Sequence, residues 1–307
     1  MAATLKFDEP SELRIPMPWG HISAKAWGNP SKNPVLGLHG WMDNAGTFDR
    51  LVPNLTNSMY FVAVDLPGHG LSSHIPAGMP YHFGDYLITI RRITKYLKWS
   101  RFSIVGHSMG GALGSFFASM YPKIIDKLVL LDIIKPISQD EGVTAENMAS
   151  AIEQFLSIED KLKPDFVPSY SYQDAMQRLI SATDESLTED AAKCLMTRGT
   201  IRVDEEKWSF RRDLRVRSPT IYRFSHELSM NFLTNIQCHL LIVKAKSAPT
   251  FGGPEPVIAK TLGIYKAKCA SFEYVEVEGN HFVHLNEPKL ASEHINNFFL
   301  NVPKSVL

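Results

Sequence analysis

An apolar run, Phe102-Ser103-Ile104-Val105, stops at Gly106-His107-Ser108-Met109-Gly110 and gives way to small and apolar residues over 111–118. That order dictates a buried strand, a turn with almost no side-chain bulk, and a helix. A serine at the apex of such a turn is held in strained backbone geometry. Gly106 and Gly110 keep neighbouring side chains out of its way. The helix that starts after Ser108 aims free N–H groups and the positive end of its dipole at any oxyanion forming there. Ser108 is therefore the candidate nucleophile.

The rest of the chain repeats the same rhythm. Short runs over 34–38, 60–64, 127–131, 239–243 and 272–277 are candidate strands. Most are apolar throughout rather than alternating, as in a parallel sheet covered on both faces. Two further strands flank Pro18-Trp19-Gly20, and helical spacing marks 84–97 and a closing helix over 288–300. The fold class is α/β, a mostly parallel, doubly wound sheet. Between 133 and 235 the pattern is helical with no buried strands, which divides the chain into a core of 1–132 and 236–307 and a helical cap insertion of 133–235.

Lysine plus arginine equals aspartate plus glutamate at 32 each, so net charge draws the chain toward neither nucleic acid nor an anionic membrane. Cys194, Cys238 and Cys269 are odd in number and lack metal-ligand spacing, which argues against a disulfide framework and a zinc site. There is no signal-peptide pattern and no run of about 18 apolar residues, so a cytoplasmic protein without a membrane span is expected. The final Ser305-Val306-Leu307 is similar to the peroxisomal Ser-Lys-Leu address, with valine in place of the basic residue, and offers the peroxisome as a second placement. Nothing in the sequence reports oligomeric state.

A serine hydroxyl needs a base to take its proton and a third group to orient that base. The base should lie between the last strand and the last helix, where the chain reads Gly279-Asn280-His281-Phe282-Val283-His284. His281 is the expected base and His284 a packing residue. The acid has two candidates. Asp132, at the end of the strand after the nucleophile helix, is preferred over Glu255, in the loop over 244–255. The oxyanion donors are the backbone N–H groups of Met109 and Trp41, with His39 bracing the loop that carries Trp41. Asp65 should bond the tight glycine turn behind it. Arg211, Arg212 and Asp213 read as an ion-paired hinge, or alternatively as a clamp for a substrate carboxylate.

The segment 38–49, Leu-His-Gly-Trp-Met-Asp-Asn-Ala-Gly-Thr-Phe-Asp, with Pro18-Trp19-Gly20 upstream and Gly279-Asn280-His281 downstream, resembles the serine hydrolase-like, or Kraken-type, group of the α/β-hydrolase superfamily. The resemblance spans nearly the whole chain. It implies a capped hydrolase with no metal and no organic cofactor; a small-molecule acyl substrate is the separate expectation. It carries over Ser108 and His281 but not the acid, because the aspartate usual after the seventh strand is absent from 244–255. The expected activity is hydrolysis of a carboxylic ester or thioester through an acyl-enzyme on Ser108. The alternative is a catalytically silent binding protein of the same fold.

Overall fold

The computed structural model describes residue 7, residues 9–162 and residues 168–301, so the tail at Ser305-Val306-Leu307 lies outside the described residues. In chain order the core opens with β1 (Ser11–Met17), β2 (Gly20–Trp27), β3 (Asn33–Leu38), β4 (Met59–Val64), α1 (Phe83–Tyr96), β5 (Phe102–His107), α2 (Met109–Met120) and β6 (Ile125–Leu131). An insertion then holds α3 (Thr144–Glu159), α4 (Tyr172–Ser181), α5 (Glu189–Gly199), β7 (Thr200–Arg202), β8 (Trp208–Phe210) and α6 (His226–Leu233). The chain closes with β9 (His239–Ala245), α7 (Glu255–Lys268), β10 (Ser271–Val277), α8 (Val283–Asn286) and α9 (Pro288–Asn301).

Eight strands form one sheet in the order β1-β2-β4-β3-β5-β6-β9-β10. Only β2 runs opposite to the rest, antiparallel to both β1 and β4; β4, β3, β5, β6, β9 and β10 pair in parallel. Burial on both faces explains the unbroken apolar runs, and residues of alternate parity go to opposite layers. Leu36, Leu38, Val62, Val64, Ile104, Leu128 and Leu240 pack with Ile90 and Ile93 of α1 and Leu113 and Phe117 of α2. Val35, Phe61, Ala63, Val105, Val129, Leu131 and Leu241 pack with Ile295 and Phe298 of α9.

The insertion departs from the expected all-helical pattern in one place. β7 and β8 pair as a short antiparallel ribbon, Thr200 opposite Phe210 and Arg202 opposite Trp208, too short to show a periodicity. α6 lies on the core: Phe232 meets Phe116 of α2 with ring centroids 5.2 Å apart, and Leu233 joins the core cluster beneath α1 and α2. The insertion is anchored elsewhere by charge. Arg198 of α5 bonds Asp65 beyond the end of β4 (2.7 Å) and Glu12 of β1 (2.5 Å). Among the described residues no helix is long and apolar enough to cross a membrane.

Candidate active site

β5 delivers His107 to the C-terminal edge of the sheet, and the chain turns through Ser108 at φ +50°, ψ −116° directly into α2. The Ser108 N–H donates to the Leu131 carbonyl, and its own carbonyl accepts the first bond of the helix from Ala112. Such a turn needs both glycines. A Cβ on Gly106 would meet the Gly110 carbonyl oxygen at 2.5 Å, and one on Gly110 would meet the Leu38 carbonyl oxygen at 2.1 Å. Ser108 itself sits in the left-handed region, a strain that the packing on both sides over-determines.

The loop after β3 lies against this elbow. A Cβ on Gly40 would fall 2.9 Å from His107 Nδ1 and 3.5 Å from Ser108 Cβ, so the backbone leading to Trp41 reaches the serine only because Gly40 has no side chain. His39 is fully buried, Leu66 N–H donates to its Nε2 (3.0 Å), and its Nδ1 therefore carries the proton shared with the Gly40 carbonyl (2.7 Å). This ring braces the loop. Trp41 is half-exposed, and its indole N–H donates to the Val216 carbonyl in the insertion (2.6 Å), which ties the loop to the segment above it.

His281 follows β10 on a turn with Gly279 at φ +116°. The side chain of Asn280 fixes that turn, accepting from the Phe282 N–H and the Asn286 amide and donating to the Ser186 carbonyl. His281 Nδ1 lies 2.6 Å from Asp132 Oδ2. Asp132 is fully buried, at φ +49° beyond β6, and its Oδ1 accepts from Lys244 Nζ (2.7 Å) and the Ala245 N–H (2.9 Å). Burial pushes this carboxyl upward, but the hydrogen bonds from His281, Lys244 and Ala245 outweigh it and hold the pKa below the ordinary aspartate value. The carboxylate that meets the histidine is thus Asp132. Glu255 stands exposed in the first turn of α7, while the loop before it supplies Phe251, whose ring packs on His281 at 5.0 Å.

Histidine and serine are joined through a residue that sequence reasoning passed over. His107, the variable position of the motif, donates from Nε2 to the His281 carbonyl (2.9 Å) and packs at a tilt against the His281 and His284 rings, centroids 4.7 and 4.1 Å away. Among the described residues the Ser108 hydroxyl makes no hydrogen bond to the His281 ring, a contact that apo hydrolases often form only with substrate in place. Burial holds His107 and His284 well below the ordinary histidine value, so both rings are neutral at pH 7. His284 Nε2 bonds Thr47 Oγ1 (2.8 Å), so the pair His281-x-x-His284 turns to different partners and forms no common ligand set. Asp65 accepts from the N–H groups of Ala45 and Leu71 and from Arg198 and bonds nothing at the elbow. Asp213 pairs with Arg215 (2.7 Å) and accepts from Tyr81, while Arg211 donates to the Thr200 carbonyl. Lys244, like His107, was missed: a lysine near the end of a buried strand carries no spacing signal.

Residues 33–288 match the family described as alpha/beta hydrolase fold. The chain is 39% identical to human serine hydrolase-like protein 2 over 94% of its own length and 93% of that protein's. It is 36% identical to a serine hydrolase-like protein of Danio rerio, covering 94% of this chain and 88% of that one. Among solved structures a hypothetical protein of Pseudomonas aeruginosa superposes with a TM-score of 0.81 at 28% identity, covering 95% of this chain and 98% of that one.

Proposed function

The chain belongs to the alpha/beta hydrolase family and, within it, to the serine hydrolase-like proteins, and from that premise we propose that it cleaves a carboxylic ester or thioester through an acyl-enzyme on Ser108. The observation that carries this reading is the 2.6 Å contact between His281 Nδ1 and the buried carboxylate of Asp132, on a loop bonded to the elbow residue next to Ser108. Asp132 keeps the imidazole proton on Nδ1, which leaves Nε2 free as a base.

The steps follow from this arrangement. Ser108 Oγ attacks the acyl carbon as His281 Nε2 takes its proton, and Asp132 stabilises the imidazolium that results. The N–H groups of Trp41 and Met109 receive the oxyanion. The tetrahedral intermediate collapses, the C–O or C–S bond breaks, and His281 returns the proton to the leaving alcohol or thiol. Water, deprotonated by the same histidine, then attacks the acyl-serine and releases the acid. Residues 133–235 act as the cap over this site, and the enzyme works in the cytoplasm.

A second reading, a silent hydrolase-fold binding protein, takes support from the lack, among the described residues, of a hydrogen bond between the Ser108 hydroxyl and the His281 ring. Fluorophosphonate labelling read by intact mass separates the two. An active hydrolase gives one adduct on the wild type and none on Ser108→Ala, and Ser108→Ala lowers turnover by about 10⁴-fold or more. A folded wild type that takes no label and hydrolyses no ester is the silent protein.

A further inference from the structure

Arginines 198, 211, 212 and 215 of the insertion all lie in its contact with the core, and three of them have a hydrogen-bond partner for the guanidinium. Arg198 holds Asp65 and Glu12, Arg211 a carbonyl, and Arg215 Asp213 together with the carbonyls of Ile75, Pro76 and Met79. Arg212 is the exception. Its guanidinium lies over the Phe210 ring at 4.3 Å, its Nε is fully buried with no hydrogen-bond partner, and among the described residues it forms no ion pair. The side chain is part-exposed but largely withdrawn from water, and a cation so placed without a counter-charge is costly. Burial, and the neighbouring charge of Arg217, push Arg212 down to about 10, which still leaves it charged at neutral pH.

Its position relates it to the loop that carries Trp41. Arg212 lines a narrow cavity between insertion and core, with Met42 and Asn44 from the loop directly after Trp41, Gly70 from the turn after β4, and Phe210. The next residue is pinned there, the Asp213 N–H donating to the Gly68 carbonyl at 2.8 Å. Asp43 shares the cavity wall but makes no ion pair with Arg212; its Oδ2 faces His107 Nδ1 at 3.8 Å. The cavity volume is about 10 Å³, room for one water, so a carboxylate fits only when its walls move apart.

We propose that Arg212 is a specificity-determining residue that receives an anionic group of the substrate, so that the ester or thioester cleaved at Ser108 carries a carboxylate remote from its scissile carbonyl. This rests on the reading of Ser108 as nucleophile. A carboxylate would supply the counter-charge the guanidinium lacks and accept its unused N–H groups, while Phe210 holds the guanidinium plane in place. Binding the substrate's far end in this way orients the carbonyl at the elbow.

The test compares kcat/KM for p-nitrophenyl butyrate, mono-p-nitrophenyl glutarate (carboxylate on the acyl side) and 4-(butyryloxy)benzoate (carboxylate on the leaving side), in wild type, Arg212→Gln and Arg212→Lys. The wild type is expected to prefer one anionic ester over the neutral one, and the ester preferred tells which side carries the charge. In Arg212→Gln the anionic-to-neutral ratio should fall about 10–100-fold, with Arg212→Lys between the two. No anionic preference in an active wild type, or an unchanged ratio in Arg212→Gln, overturns the proposal and leaves the hydrolase reading standing. If the wild type neither labels nor turns over, that reading fails instead, and thermal melting with glutarate decides the subsite. A rise in Tm lost in Arg212→Gln supports it, and no rise overturns it.

Discussion

Two buried aspartates, Asp65 beyond β4 and Asp132 beyond β6, have nearly the same surroundings and opposite consequences. Each is fully buried, each accepts at least one backbone N–H, and each faces a basic side chain, Arg198 for Asp65 and Lys244 for Asp132. The difference is one further partner. Asp132 also holds the ring of His281, whereas the remaining bonds of Asp65 go to backbone. A carboxylate whose partners never change protonation is a clasp. One that bonds an imidazole can answer a proton transfer on the other side of the ring. Burial tells the two apart no better than cation pairing does; the titratable neighbour does.

The sharpest way to break this contrast is at Asp132. Asp132→Asn should lower kcat by about 10⁴-fold, because the amide favours the wrong imidazole tautomer, whereas Glu255→Gln, on an exposed carboxylate, should stay within about twofold. Comparable losses in steady-state ester hydrolysis would erase the distinction. At Asp65 the effect should appear in stability. Arg198→Met strands two carboxylates, one of them fully buried, and should cost about 3–5 kcal/mol in urea unfolding while kcat per labelled serine stays within about threefold.

The smallest effect is on pH dependence. The pKa of Asp132 is lowered in the fold, so its contribution to stability is present above the ordinary value of 3.8 and is lost as pH falls through the folded value. Asp65 has the opposite sign: burial outweighs Arg198 and its backbone donors and raises its pKa, so its contribution is present below 3.8 and lost as pH rises through the folded value. Tm measured across acidic pH should fall less steeply below pH 3.8 in Asp132→Asn than in wild type. Parallel curves would mean the aspartate is not held by its partners.

The strands could be read because burial on both faces leaves an unbroken apolar run, and the elbow because a serine between two glycines at the end of such a run has few other uses. Two expectations needed the third dimension. Whether Asp132 or Glu255 meets His281 depends on backbone at φ +49° and on Lys244, neither of which has a sequence period. The β7–β8 ribbon has strands of three residues, shorter than any alternation that could reveal them. His107 was hidden by the motif itself, which treats its position as free. Arg212 could be seen only as part of an arginine-rich stretch, since its lack of a partner is a property of the packed molecule.

Arg198 also has a consequence for how the chain reaches this state. It is 133 residues from Asp65 and 186 from Glu12, so its clasp closes only after the sheet edge, the β4 turn and α5 have each taken shape. Contacts that span so much chain carry a high entropy of loop closure and contribute little to the folding nucleus. Such a clasp leaves the rate of folding almost untouched and slows the rate of escape, so that Glu12, Asp65 and Arg198 lengthen the native lifetime more than they hasten its arrival.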